Sequence, residues 1–407
     1  MSAKTRLGAM MFLQYAIWGA WAPVLSSYLI NDLGFSGGQV GWIYALLPLA
    51  TILSPFVGGQ VADRWFATEK VIGALAFTGG VLLLVVSRTT DFGAMAALML
   101  LYCLVYAPTL ALTNSIAMIN LRDSEAEFGR IRVWGTLGWI AAGWALTGWR
   151  SLVDAGTVAR VAPDTLVLAG LLSLVMGLQA LTLPATPPRK EGVRPWAFLE
   201  SLKMLRDRDF LVFVAITFVV ATELEFYYIL TAPFLQSERI GVSATNVPAV
   251  MTIAQLAEIF VMAFLLPYAL KRWGMRRTLA VGVIAWPVRY VVFAIGAPAW
   301  LVIASLALHG LCYVFFFVAA FIYVDKVAPP DVRASAQSLI AVVALGLGRF
   351  LGSLFAGRVR DVFTTGAQTH WTLVFLVPCA LTVLCAAAFL LFFRGRPAPA
   401  ADRAAAA

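Results

Sequence analysis

The feature that most constrains this chain is a train of apolar segments, each about as long as a bilayer is thick. A spanning helix needs roughly 20 apolar residues, because hydrocarbon offers no partner to an open backbone. Twelve such segments can be drawn: 7–30, 38–61, 69–88, 92–118, 131–149, 165–184, 209–235, 243–268, 278–297, 299–324, 334–357 and 371–393. The sequence therefore predicts an all-α polytopic membrane protein with twelve transmembrane helices. Only 13% of the residues are charged and 61% are hydrophobic, against about 25% charged in soluble domains. A chain so poor in charge cannot keep a wet surface, so lipid is its main solvent. Lys4 and Arg6 ahead of the first apolar stretch imitate a signal peptide. That stretch is longer than an h-region and carries Gln14, Trp18 and Trp21, so it is expected to stay as the first span.

The formal net charge of +9 does not point to nucleic acid, since no basic stripe lies on a polar fold. The basic residues sit in loops. With both termini in the cytoplasm, 22 of the 30 Lys and Arg fall on that side. Six (Arg88, Arg150, Arg160, Arg239, Arg358 and Arg360) fall outside, and Arg289 and Arg349 lie within spans. This is the positive-inside bias, and it predicts both termini in the cytoplasm. Short loops and the absence of an N-x-[ST] sequon suggest a bacterial inner membrane. Cys103, Cys312, Cys379 and Cys385 all fall in apolar runs; they read as reduced, packed thiols, with no metal spacing and no cofactor implied.

The one long loop, 185–208, is proline-rich and then charged. It divides the chain into six-helix halves at 1–184 and 209–395, leaving an Ala/Pro-rich tail, 396–407, expected to be disordered. The halves echo each other. Gly59-Gln-Val-Ala-Asp63-Arg64-Trp65 follows span two, and Lys271-Arg272-Trp273-Gly274 follows span eight, 208 residues on. The first copy fits the cytoplasmic loop motif G-x-x-x-D-[RK]. Parallel halves marked in this way predict the major facilitator fold, two pseudo-symmetric six-helix halves. Gly59, Asp63, Arg64 and Arg272 form the expected structural and gating motif. Asp63 is suited to capping a neighbouring helix N-terminus, and Arg64 to anchoring on carbonyls or lipid phosphate. An ordinary basic loop explains the arginines but not their matched places.

Ionisable residues at membrane depth are costly and mark cavities by default. Glu223 and Glu225 lie in span seven, Glu258 in span eight, and Arg132 near the inner end of span five. Arg289, His309 and Arg349 lie in spans nine, ten and eleven. Helical spacing groups Arg132, Thr136 and Trp139; Glu225 and Tyr228; Gln255 and Glu258; and His309 and Tyr313. These polar stripes with aromatics suit a cavity that hydrogen-bonds a set of hydroxyls and stacks a flat base. Glu223 lies about 200° around the helix from Glu225, so the two cannot share one cavity. It either pairs with Arg289 or Arg349 or has a role of its own. Trp18, Trp21, Trp134 and Trp139 read equally as packing or interfacial residues, with Trp139 set apart only by the face it shares with Arg132, and His309 reads equally as a helix-interface residue. Pro23, Pro108 and Gly310 are expected to bend spans one, four and ten.

A carboxyl in a partly dry cavity can load and release a proton near neutral pH. Glu258 and Glu225 are the candidates. No ATP-binding loop or sodium-site pattern is present, which favours proton coupling or plain facilitation. With only two histidines and no catalytic cluster, a membrane enzyme is not expected.

Several stretches together resemble the bacterial nucleoside:H+ symporter family of the major facilitator superfamily. They are Phe12-Leu-Gln-Tyr-Ala-Ile-Trp18-Gly19-Ala-Trp21, Tyr106-Ala-Pro108-Thr109, Ile131-Arg132-Val-Trp134-Gly135-Thr136-Leu-Gly138, Glu223-Leu-Glu225, Gln255-Leu-Ala-Glu258 and Arg333-Ala-Ser-Ala-Gln337. The resemblance implies proton-coupled nucleoside import by alternating access, by a monomer. It places Arg132, Thr136, Trp139, Glu225, Tyr228, Gln255, Glu258 and Tyr313 in the site. Three positions depart from the family pattern: Glu225 stands for Gln, Tyr228 for Asn, and Val314 for Asp. These changes keep open a carrier of another small polar solute, such as a sugar or a nucleoside-like metabolite.

Overall fold

The computed structural model describes residues 2–54, 66–121, 123–159, 161–187, 197–330 and 332–395. The loop-motif residues Gly59, Asp63 and Arg64, residues 188–196 of the long loop and the tail 396–407 lie outside the described residues.

Among the described residues, nine helices are long and apolar enough to cross a membrane. They are α2 (Gly37–Ser54), α3 (Thr68–Val86), α4 (Phe92–Ile119), α7 (Arg208–Gln236), α8 (Val247–Arg272), α9 (Gly274–Ile295), α10 (Ala299–Val327), α11 (Arg333–Val362) and α12 (Trp371–Phe392). The other three expected spans are helical too: α1 (Ala3–Trp21), α5 (Ser124–Asp154) and α6 (Asp164–Ala180). Their ends carry recognisable caps. The Asp91 carboxylate accepts the Ala94 N–H at the start of α4, and Gly296 closes α9 in the left-handed region that only glycine enters freely.

The expected bends come out unequally. α1 stops at Trp21, just before Pro23, and the chain continues through the short segment Leu25–Ser27 into a π turn, Tyr28–Asp32. Pro108 sits within an unbroken α4. Around Gly310 the helix α10 is irregular: Leu308–Cys312 leads into a π segment, Tyr313–Val318. α8 and α11 carry π segments as well, Val261–Leu265 and Val342–Leu347. Such wide turns concentrate at functional positions.

The chain forms two compact units. One comprises Met1–Val193 with Tyr228–Thr252; the other comprises Arg194–Tyr227 with Ile253–Ala407. In the first, α1 packs on α5 and α6, α2 on α4, and α3 on α4 and α6. In the second, α8 packs on α10 and α9 on α12, and α7 lies against α11. The pairings one–five, two–four and three–six thus recur as seven–eleven, eight–ten and nine–twelve, which is the internal repeat expressed as packing. Two glycines make the one–five and seven–eleven contacts possible. A Cβ on Gly138 would lie 2.0 Å from the Phe12 carbonyl oxygen, and one on Gly352 would lie 2.5 Å from that of Thr222. Only a hydrogen fits at either place.

The boundary between units does not fall only at the long loop, because the end of α7 and the start of α8 pack with the first helices. Arg150, at the end of α5, grips Asp164 of α6 through two bonds of 2.7 Å and donates a third to the Ala244 carbonyl. Thr245 Oγ1 donates to Asp154, and the Ala249 N–H donates to Thr147 Oγ1. Bidentate Arg–carboxylate bonds are the strong, geometry-fixing kind. At the other end of the same unit, Lys4 pairs with Glu127, and Arg6 donates to the Thr182 carbonyl.

Candidate functional site

In the first unit, α5 supplies Arg132, Thr136 and Trp139 one turn apart along one side. Arg132 lies flat over the Tyr15 ring of α1, its guanidinium carbon 3.9 Å from the ring centroid. This is a cation–π contact, favoured because arginine presents a planar, weakly hydrated face. Gly135 leaves the room for it, since a Cβ there would come within 2.6 Å of Tyr15 and 2.8 Å of Arg132 Nη1. Trp18 lies one turn above Tyr15, at 6.4 Å, and meets Trp139 edge-on at 5.4 Å. Trp139 in turn meets Tyr228 at 6.3 Å. Tyr15, Trp18, Arg132, Thr136 and Tyr228 are all half-buried, and Trp139 is buried. The result is a guanidinium and a hydroxyl at the edge of an aromatic wall. Behind it, Gln14 donates to Thr109 Oγ1 at 2.8 Å and Tyr106 donates to the Gln14 carbonyl at 2.7 Å, tying α1 to α4.

The second unit carries the other candidates. Gln255 is buried, with its side-chain oxygen lacking a hydrogen-bond partner among the described residues, and Glu258 is half-buried one turn on. α10 lies close against this turn: a Cβ on Gly310 would stand 2.7 Å from the Ala257 carbonyl oxygen. His309 is buried and stacked on Tyr227, at 4.6 Å, and Tyr313, at 5.6 Å, each inclined by 22°. Val314, next along α10, is fully buried.

The two glutamates of α7 part company, and not in the way that spacing suggests. Glu225 is 1% exposed; Arg349 Nε binds its Oε1 at 2.5 Å, and Ser353 Oγ donates to its Oε2 at 3.1 Å. Arg349 therefore pairs with Glu225 rather than with Glu223. Glu225 thus faces α11, which supplies both partners. Glu223 is fully buried; its Oε1 lies 3.3 Å from Thr222 Oγ1, and its Oε2 has no hydrogen-bond partner among the described residues. Tyr290 of α9 donates to the Glu223 backbone carbonyl.

Arg272, the described member of the loop motif, lies in the last turn of α8, where a cation suits the helix dipole. The four cysteines are free and buried. Among the described residues no cluster of His, Cys, Asp or Glu is built to hold a metal. Spacing alone had not marked Tyr15 or Tyr227, because each matters through a neighbour on another helix.

Comparison with known proteins agrees over the whole chain. The sequence profile described as "Nucleoside H+ symporter" matches residues 1–397. The Escherichia coli K12 protein YegT, named as a candidate nucleoside transporter, is 36% identical over 97% of this chain and 94% of its own length. The nucleoside permease NupG of the same organism is 28% identical over 97% and 96%. The crystal structure of NupG superposes with a TM-score of 0.86 at 27% identity, covering 97% of this chain and 100% of NupG. A bacterial homologue of the lysosomal transporter Spinster, at 18% identity and a TM-score of 0.74 over 98% of both chains, shares the fold alone. That fold is the major facilitator fold expected from the repeat.

Proposed function

Because the chain belongs to the nucleoside H+ symporter family, we propose that it imports nucleosides with protons through particular residues of its helices. Proton-coupled nucleoside transport comes with the family; the residue roles are our assignment. Arg132, Thr136, Trp139, Tyr228, Gln255, Glu258, His309 and Tyr313 serve the substrate. The observation that carries this assignment is the half-buried guanidinium of Arg132 on Tyr15 beside Trp18, Trp139 and Tyr228. An aromatic wall offers a nucleobase a stacking face, and the guanidinium and the Thr136 hydroxyl offer directional hydrogen bonds.

Glu258 and Glu225 handle the proton. Glu258 is the half-buried carboxyl beside the substrate residues. Glu225 acts through competition: its oxygens accept from Arg349 and Ser353, so a proton bound there weakens its hold on Arg349. The protein works as a monomer in the bacterial inner membrane, with both termini in the cytoplasm as the lysine and arginine bias directs. On that orientation the Arg150–Asp164 clamp closes the outer end of the first unit. Asp63, Arg64 and Arg272 then lie on the cytoplasmic side as a gating motif.

Two measurements test this. A ligand that binds the folded state raises the unfolding midpoint, so purified protein should be stabilised by uridine or adenosine and not by maltose or sucrose; shifts with sugars alone would defeat the nucleoside assignment. In vesicles, a Glu225→Gln, Glu258→Gln double variant should transport without responding to a pH gradient. Coupling that survives both substitutions would remove these carboxyls from the proton path.

A further inference from the structure

Arg289 of α9 is fully buried. A guanidinium withdrawn from water normally demands a carboxylate, yet among the described residues no carboxylate pairs with it. Three aromatic faces enclose it instead: Trp286 at 4.6 Å, Tyr227 at 4.7 Å and Tyr290 at 5.1 Å from its central carbon. Its Nη1 lies 3.1 Å from Nδ1 of His309 on α10.

Elementary chemistry decides who donates. A guanidinium has five N–H groups and no acceptor, and it keeps its charge in proteins. Arg289 must therefore donate, and Nδ1 of His309 must offer a lone pair. An imidazole with a lone pair on Nδ1 is neutral and carries its proton on Nε2. An imidazolium would set two N–H groups, and two positive charges, against each other at 3.1 Å. The ring cannot easily turn away, because both Tyr227 and Tyr313 stack on it. The charged and titratable groups around it are Arg289 from α9, Tyr227 from α7, and Cys312 and Tyr313 from α10. Glu258 stands on α8, next to Ala257, whose carbonyl lies close against Gly310 of α10.

We propose that Arg289 is a positioning residue that fixes His309 as the neutral Nε2–H tautomer. α10 thereby gives the nucleoside site a fixed hydrogen-bond donor for a base or ribose acceptor, and the histidine is kept out of the proton path. The consequence for transport rests on the placement of His309 in the substrate site given above; the tautomer does not.

The chain has only two histidines, His309 and His370, so nitrogen NMR can isolate one. Full-length protein labelled with ¹⁵N-histidine and carrying His370→Gln shows a single imidazole. The expected spectrum has Nδ1 unprotonated and Nε2 protonated, without change between about pH 5 and 8, where a free histidine would titrate. An imidazolium at the acid end, or a proton on Nδ1, overturns the proposal. In Arg289→Met the ring should regain its titration, and uridine uptake should gain an acid-side fall that a further His309→Gln removes. If Arg289→Met does not fold, the spectrum of the arginine-containing protein decides alone. If the spectrum is as expected while His309→Gln takes up uridine normally, the positioning stands and the placement of His309 in the nucleoside site falls.

Discussion

Removing Arg349 should expose how Glu225 is held. The pair is enclosed, with side-chain exposures of 13% for Arg349 and 1% for Glu225. In Arg349→Met the carboxylate keeps only the 3.1 Å bond from Ser353. Breaking a buried ion pair from one side costs about 3–5 kcal/mol, because the other charge is left without its partner. With an unfolding entropy of about 2.1 cal/mol/K per residue over this length, that is a fall of roughly 4–6 °C in the unfolding midpoint. Glu225→Gln alone should cost a comparable amount by stranding the guanidinium. The Glu225→Gln, Arg349→Met double variant removes both charges, and replacing a buried pair by neutral groups is often close to neutral. Its midpoint should lie above both single variants. The assay is thermal unfolding of the four proteins in one detergent, read as a double-mutant cycle. If the double variant falls by the sum of the two single losses, the residues are not coupled and the competition between Arg349 and the proton is wrong.

Three further outcomes follow from the geometry. Arg132→Lys keeps the charge but loses the flat face that covers Tyr15 at 3.9 Å, so the KM for uridine should rise about tenfold or more while protein yield is unchanged. Gly138→Ala places a methyl 2.0 Å from the Phe12 carbonyl oxygen, so α1 and α5 must separate; little folded protein should be recovered by size-exclusion chromatography, whereas Gly148→Ala, in open space, should behave as the parent. Arg150→Gln removes the fork to Asp164 and the bond to Ala244, so a cysteine at Ala249 should be labelled faster from outside the cell than in the Arg150 background.

Much of this was legible in the sequence because lipid leaves few options. Among the described residues each expected span is helical over most of its length, since only backbone-satisfied helices survive in hydrocarbon, and the two halves show matched helix pairings. Helical periodicity puts Arg132, Thr136 and Trp139 on one side of α5, and α1 brings Tyr15 under Arg132 and Trp18 against Trp139. What periodicity could not supply was the identity of the opposing helix. Spacing marked Glu225 as an acid at membrane depth, but that Arg349 and Ser353 of α11 hold it depends on which helix packs there. Tyr15 carried no mark of its own until α1 brought it under Arg132. Arg289 and His309 were each visible as odd residues for a membrane span; that they touch depends on α9 lying against α10, which no local pattern encodes.

The central claim is proton-driven nucleoside import, and accumulation in proteoliposomes tests it most directly. The purified chain should concentrate labelled uridine above its external level when the outside is made acid, and a protonophore should abolish the excess. Uptake that only equilibrates, at a rate indifferent to the imposed pH gradient, would contradict the account.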